Sequence, residues 1–109
     1  PHALAHQENS LIGLTINLVD NPQLQQLYYA EGSLKVAKIT LRNSPLLQQL
    51  PTFSFTNFVP VEVDNIGISN MEGFKRLAIS ESLVIKNNAR LTSFAQLTQL
   101  VNVNKMIWI

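Results

Sequence analysis

The stretch Ile39-Thr40-Leu41-Arg42-Asn43-Ser44-Pro45-Leu46-Leu47-Gln48-Gln49-Leu50 decides how the rest of the chain reads. It holds an apolar–x–apolar triplet, an asparagine two residues later, and then Leu47 and Leu50, three residues apart. The same order recurs on both sides. Ile16-Asn17-Leu18 leads to Asp20, Val61-Glu62-Val63 to Asn65, and Leu83-Val84-Ile85 to Asn87, while a fifth triplet, Ile107-Trp108-Ile109, closes the sequence. The triplets start at 16, 39, 61, 83 and 107, so the intervals are 23, 22, 22 and 24. Each Asn or Asp is followed by an apolar residue (Leu24, Leu47, Ile68, Leu91) and three residues on by another (Leu27, Leu50, Met71, Phe94). The last two units continue that spacing through Phe74 and Leu77, and through Leu97 and Leu100. A second register, with Ile66-Gly67-Ile68 as third strand and Asn70 as its amide, gives intervals of 23, 27, 17 and 24. The first is preferred, because stacked coils need a near-constant circumference for their strands to pair.

A period within about 20–29 residues, with this leucine spacing and an asparagine, is the signature of a leucine-rich repeat. An alternating triplet is a short strand with two side chains turned inward. Successive coils set these strands side by side, and the later Leu and Phe positions fill the interior from the return path. The chain is therefore read as mainly β: a right-handed parallel β-solenoid, with four full coils and a terminal strand over residues 14–109. Asp20, Asn43, Asn65 and Asn87 are expected to form a structural ladder, each side chain bonding backbone groups exposed where the chain leaves its strand. Residues 1–13 fit no unit and read as a cap, a tag remnant or part of a preceding coil.

The segments Asp20-Asn21-Pro22-Gln23-Leu24, Asn43-Ser44-Pro45-Leu46-Leu47 and Asn87-Asn88-Ala89-Arg90-Leu91 resemble the receptor L domain, a leucine-rich solenoid of growth-factor receptor ectodomains and of fungal and bacterial surface proteins. The similarity spans about residues 14–109; the third unit, Asn65-Ile66-Gly67-Ile68, lacks the proline and one residue. Animal receptor L domains are flanked by disulfides, and this chain has no cysteine, so the resemblance implies a microbial or fungal surface protein. It implies an extracellular, cell-surface binding or adhesive module without catalysis.

Composition narrows the chemistry. Of 109 residues, 33 are Leu, Ile or Val and 19 are Asn or Gln, while charged residues make up 14%, against roughly 25% in an ordinary domain. Polarity is carried by amides, which can be buried without ionic desolvation if donor and acceptor are both matched. Lys and Arg number 8 and Asp and Glu 7, so no basic excess favours nucleic acid or an anionic membrane. The absence of cysteine removes disulfide scaffolds, thiolate zinc sites and cysteine nucleophiles. No apolar run approaches the roughly 20 residues of a membrane helix. No enzyme and no cofactor are expected. His2 and His6 stand four apart but have no acidic ligand near them, so no metal site is read there. Glu62 and Asp64 point to one face of a strand, where nothing separates their environments as general acid–base work requires. No phosphate loop and no nucleophile elbow occur.

The informative positions are those expected to face outward on the sheet: Thr15, Asn17 and Val19; Lys38, Thr40 and Arg42; Pro60, Glu62 and Asp64; Ser82, Val84 and Lys86; Met106 and Trp108. Arg42, Asp64 and Lys86 should stand in one row of alternating charge, where opposite neighbours contribute roughly 0.2–1 kcal/mol. The candidate ligand-binding set is Asn17, Thr40, Arg42, Glu62, Asp64, Lys86 and Trp108, with Trp108 as anchor. Against this stands a simpler reading in which the row only keeps the sheet soluble and in register. Tyr28 and Tyr29 are read as structural, one ring inward and one at the rim. The expected partner is a protein or glycan, with further repeats or another chain on the open C-terminal end, since the chain closes on a strand and reads as a piece of a longer protein. The alternative is a structural spacer within a large surface protein.

Overall fold

The computed structural model describes residues 13–27 and 35–108. Five strands carry it: β1 (Leu14–Val19), β2 (Val36–Ser44), β3 (Val59–Ile66), β4 (Ile79–Lys86) and β5 (Asn102–Trp108). They form one sheet in chain order, and every neighbouring pair is parallel. Parallel neighbours need a return path after each strand, so the chain winds as a β-solenoid of five strands and four returns. The helix among the described residues is one short 3-10 turn, Glu72–Phe74, and no helix is long and apolar enough to cross a membrane.

The register follows the repeat through four coils and then departs from it by one residue. Ile16 pairs with Ile39, Ile39 with Val61, and Val61 with Leu83, but Leu83 pairs with Met106 instead of Ile107. The fifth triplet is therefore Met106-Ile107-Trp108, and the last interval is 23 instead of 24. The slip has a packing reason. It sets Val103 beside the buried Ser80, where its side chain packs on the core. The expected register would set the amide of Asn104 there. An extra residue in β2 and another in β4, at the entry of each strand, separate buried Val36 from Ile39 and buried Ser80 from Leu83.

Two continuous inward rows form the sheet side of the core, Ile16, Ile39, Val61 and Leu83, and Leu18, Leu41, Val63 and Ile85; at the strand entries Leu14 pairs with Val36 and Val59 with Ser80, while Val36 bridges Phe55. The return paths close over them with Leu47, Phe53, Ile68, Met71, Phe74 and Leu77. Each such side chain contributes about 1.5–3 kcal/mol when fully buried, and no coil can bury its own face, so the stack is stable only as a unit. Phe53, Phe55 and Phe74 pack ring against ring at 5.9–6.1 Å. Phe53 and Phe55 of the second return thus turn inward, whereas Phe58 is 56% exposed and left-handed (φ 60°) at the entry to β3. The Ser80 hydroxyl, the one polar group at these inward sheet positions, lies 2.7 Å from both the Val59 and Ser82 carbonyl oxygens and donates between them. In the last coil the apolar rows lose their cover: Leu91, Phe94, Leu97, Leu100 and Val103 are half-buried and Met106 is 50% exposed.

The corners repeat closely. After β1, β2 and β4 the chain makes a tight turn closed by Leu24 N–H to Asn21 C=O, Leu47 N–H to Ser44 C=O and Leu91 N–H to Asn88 C=O, at 3.0–3.2 Å. Pro22 and Pro45 hold the second turn position, where their fixed φ is already suitable. The third corner is one residue shorter. There the Gly67 N–H donates to the Leu47 carbonyl of the coil before it at 2.8 Å. A Cβ on Gly67 would run into the Pro45 carbonyl oxygen, so the short corner requires glycine. Gly67→Ala is accordingly expected to lower stability by about 1–3 kcal/mol in chemical denaturation. Phe58→Asn should act in the opposite sense, raising stability by up to about 1–2 kcal/mol, because asparagine tolerates the left-handed backbone that a bulky ring does not; equal midpoints for the wild type and this variant would contradict strain at Phe58.

Candidate functional site: the sheet face and its polar corners

Two polar columns run along the corner of the solenoid, where one was expected. Asp20, Asn43, Asn65 and Asn87 all have positive φ, between 54° and 62°. Asp and Asn visit this region more readily than other L-residues, because their short polar side chains bond locally. Their side chains lie at the surface and bond each other: Asn43 Nδ2 donates to Asp20 Oδ1 at 3.0 Å, and Asn65 Nδ2 to Asn43 Oδ1 at 3.4 Å. Asn87 departs from the column and donates to Asp64 Oδ1 at 3.0 Å.

The expectation that these side chains satisfy buried backbone groups is corrected by one residue. That work falls to the next position, Asn21, Ser44 and Asn88. Asn88 Oδ1 accepts the Ile66 N–H at 2.9 Å and its Nδ2 donates to the Val63 carbonyl at 3.0 Å. The fully buried Ser44 accepts the Asn21 N–H and donates to the Arg42 carbonyl, both at 3.2 Å. Asn21 Nδ2 donates to the Val19 carbonyl at 3.2 Å. The reason is geometric: a left-handed residue aims its side chain away from the core, and the following residue is the first to aim back. In the third coil Ile66 takes that place and is buried as an apolar side chain.

The outward face is ordered in rows. Asn17, Thr40, Glu62, Val84 and Ile107 stand in one, Val19, Arg42, Asp64 and Lys86 in a second, and Lys38, Pro60, Ser82 and Lys105 in a third. Arg42 does not spend its charge along its own row. Its guanidinium reaches diagonally to Glu62 in a two-pronged contact, Nε to Oε2 and a terminal nitrogen to Oε1, each 2.9 Å. The Glu62 hydrogen bond and charge hold the Arg42 pKa above its ordinary value, with smaller support from Asp64 and Asp20. Asp64 is instead engaged by Asn87. The predicted alternating row is thus a diagonal pair and a corner bond. Lys38, Lys86 and Lys105 have no ion-pair partner among the described residues.

The slip in β5 also moves Trp108. It stands opposite Ile85, in the row of Leu18, Leu41 and Val63, and Ile107 takes the outward row in its place. The backbone register thus sets Trp108 in a different row from the one expected, and Lys105 and Ile107 are the β5 residues paired with the outward positions Ser82 and Val84. Asn17 and Thr40 lie on the outward face as expected. His2, His6, Tyr28 and Tyr29 lie outside the described residues. Among the described residues no three His, Asp or Glu side chains gather as a metal would require. No family model, no curated protein and no solved structure matches the chain.

The two columns differ in what they support, and stability measurements separate them. Asn88→Ala should cost roughly 1–3 kcal/mol, because the Ile66 N–H and Val63 carbonyl lose their partner. Asn87→Gly should cost less, since glycine keeps the left-handed backbone and only a surface bond is lost. The reverse order in urea denaturation would contradict this division of roles.

Proposed function

We propose that the chain is a non-catalytic binding or adhesion module, similar to the receptor L-domain kind of leucine-rich repeat, displayed at the cell surface, whose protein or glycan ligand contacts the outward sheet face. The observation that carries this reading is the make-up of that face around β4 and β5. Val84 and Ile107 form an apolar strip in one row, flanked by Lys86, Ser82 and Lys105. Apolar centres rimmed by polar and charged groups are the usual anatomy of interfaces. The parallel register fixes each outward side chain in its row, which limits the ordering cost of binding.

A second reading, a structural spacer, draws on the other half of the same face. Across β2 and β3 the charged groups are already engaged, Arg42 by the Glu62 carboxylate and Asp64 by the Asn87 amide, leaving little for a partner. The double variant Val84→Glu/Lys86→Glu separates the two. Loss of adhesion to cells or matrix by the purified chain, with the melting temperature unchanged, is the outcome expected of a binding face. Adhesion equal to wild type at unchanged melting temperature would overturn it in favour of the spacer.

A further inference from the structure

The return side carries a feature that neither the repeat nor the sheet face explains. A groove of about 280 Å³ opens between the second and third coils. One wall is Gln48 and Gln49, the other Ser69, Asn70 and Glu72, with Leu50 and Ile68 at its apolar part. Two glycines shape it. Gly67 draws the third corner against the second coil, and Gly73, on the groove lining, packs against the Pro51 carbonyl with no side chain to fill the space.

Both walls are held by bonds to outer coils. The Gln48 N–H donates to the Gln25 carbonyl at 3.0 Å, and the Gln49 carbonyl accepts the Leu27 N–H at 3.1 Å. The Ser69 carbonyl accepts the Thr92 N–H at 3.1 Å. Asn70 Oδ1 accepts the Glu72 N–H at 2.9 Å, which fixes the amide plane and leaves its NH2 without a partner among the described residues. The side-chain amides of Gln48 and Gln49 likewise make no hydrogen bond among the described residues. A ligand would meet a backbone frame that is already set, and a side-chain amide plane that is set at Asn70, while the exposed Gln48 and Gln49 side chains would be ordered on binding.

Charge selects the ligand class. The one ionised group in the groove, Glu72, lies 2.9 Å from Lys75 Nζ. No free cation remains to attract an anion, and one neutralised carboxylate does not hold a metal. Three amides and a hydroxyl, each offering donor and acceptor, match groups that are themselves both, as hydroxyls are. Leu50 and Ile68 supply an apolar patch for a C–H face. The volume lies just below the range of small-ligand sites, which run from about 300 Å³ upward, so it suits a small ligand.

We propose that this groove is a second binding site, separate from the sheet face, that takes a neutral polyhydroxyl ligand, a sugar residue. It stands whether or not the sheet face binds. The test is a titration of the 15N-labelled chain with glucose, mannose, galactose and N-acetylglucosamine, with sodium sulfate and calcium chloride as charged comparators, followed by two-dimensional NMR. At least one sugar should give saturable shifts, with half-saturation in the millimolar range, at the side-chain amides of Gln48, Gln49 and Asn70 and the backbone amide of Gly73, with Gln25 and Gln26 unmoved. Asn70→Asp keeps the acceptor for the Glu72 N–H but loses the amide donors, and should weaken that binding about tenfold. Absence of saturable shifts with all four sugars, shifts of the same amides by sulfate or calcium instead, or undiminished affinity in Asn70→Asp would overturn the proposal.

Discussion

To leave a parallel strand sharply, a chain must place one residue where L-amino acids are least at ease. Asp20, Asn43, Asn65 and Asn87 each do so, with φ between 54° and 62°. Most residue types would lose about 1–2 kcal/mol at each such position. Asn and Asp meet that cost better than others and recover part of it through bonds to the coil beside them. Because all four corners turn at equivalent places, the next residue aims inward in each, and in three of them the tight turn beyond it begins in the same attitude. The circumference, the pairing of the strands and the alignment of the inward rows are consequences of that repeated corner.

Inside the corner the structure solves a different problem. Polar backbone near the end of each strand is removed from water and must be paired. Ser44 and Asn88 do this from within, and Ile66 shows that the place also accepts an apolar side chain when another coil supplies the amide. Surface and interior polarity are therefore adjacent in sequence but distinct in purpose. The amide-rich composition serves both, since an amide can be buried without the penalty of a charge.

Much of this was legible in the sequence. The triplets, the regular interval and the trailing Leu positions identify a parallel solenoid, because only stacked coils of equal girth explain a constant period. The prolines at 22 and 45 mark the turns for a reason intrinsic to their ring. What could not be read was finer than one residue. An Asn-Ser or Asn-Asn pair does not say which member faces in, and the left-handed backbone that decides it leaves no separate mark. The final register was hidden because Met106-Ile107-Trp108 and Ile107-Trp108-Ile109 are both apolar throughout; the preference for Val103 over Asn104 beside Ser80 becomes visible only with the fourth coil in place. The Arg42–Glu62 diagonal was equally hidden, since row assignments ignore the reach of a long side chain. The groove gave one local sign, the missing proline at Asn65-Ile66-Gly67-Ile68.

That shortened corner has a wider meaning for how such a molecule can change. Paired strands on one side of the coil lock their rows together, and they admit an extra residue only at the strand entries, in β2 and β4. The opposite side is bound by fewer and more scattered contacts, and the third coil shows that its corner can be shortened by a residue, with the length made up elsewhere on the return, while the strands beside it stay aligned. The two sides can therefore diverge at different rates: one conserves its geometry and varies by substitution, the other is free to remodel its contour by length.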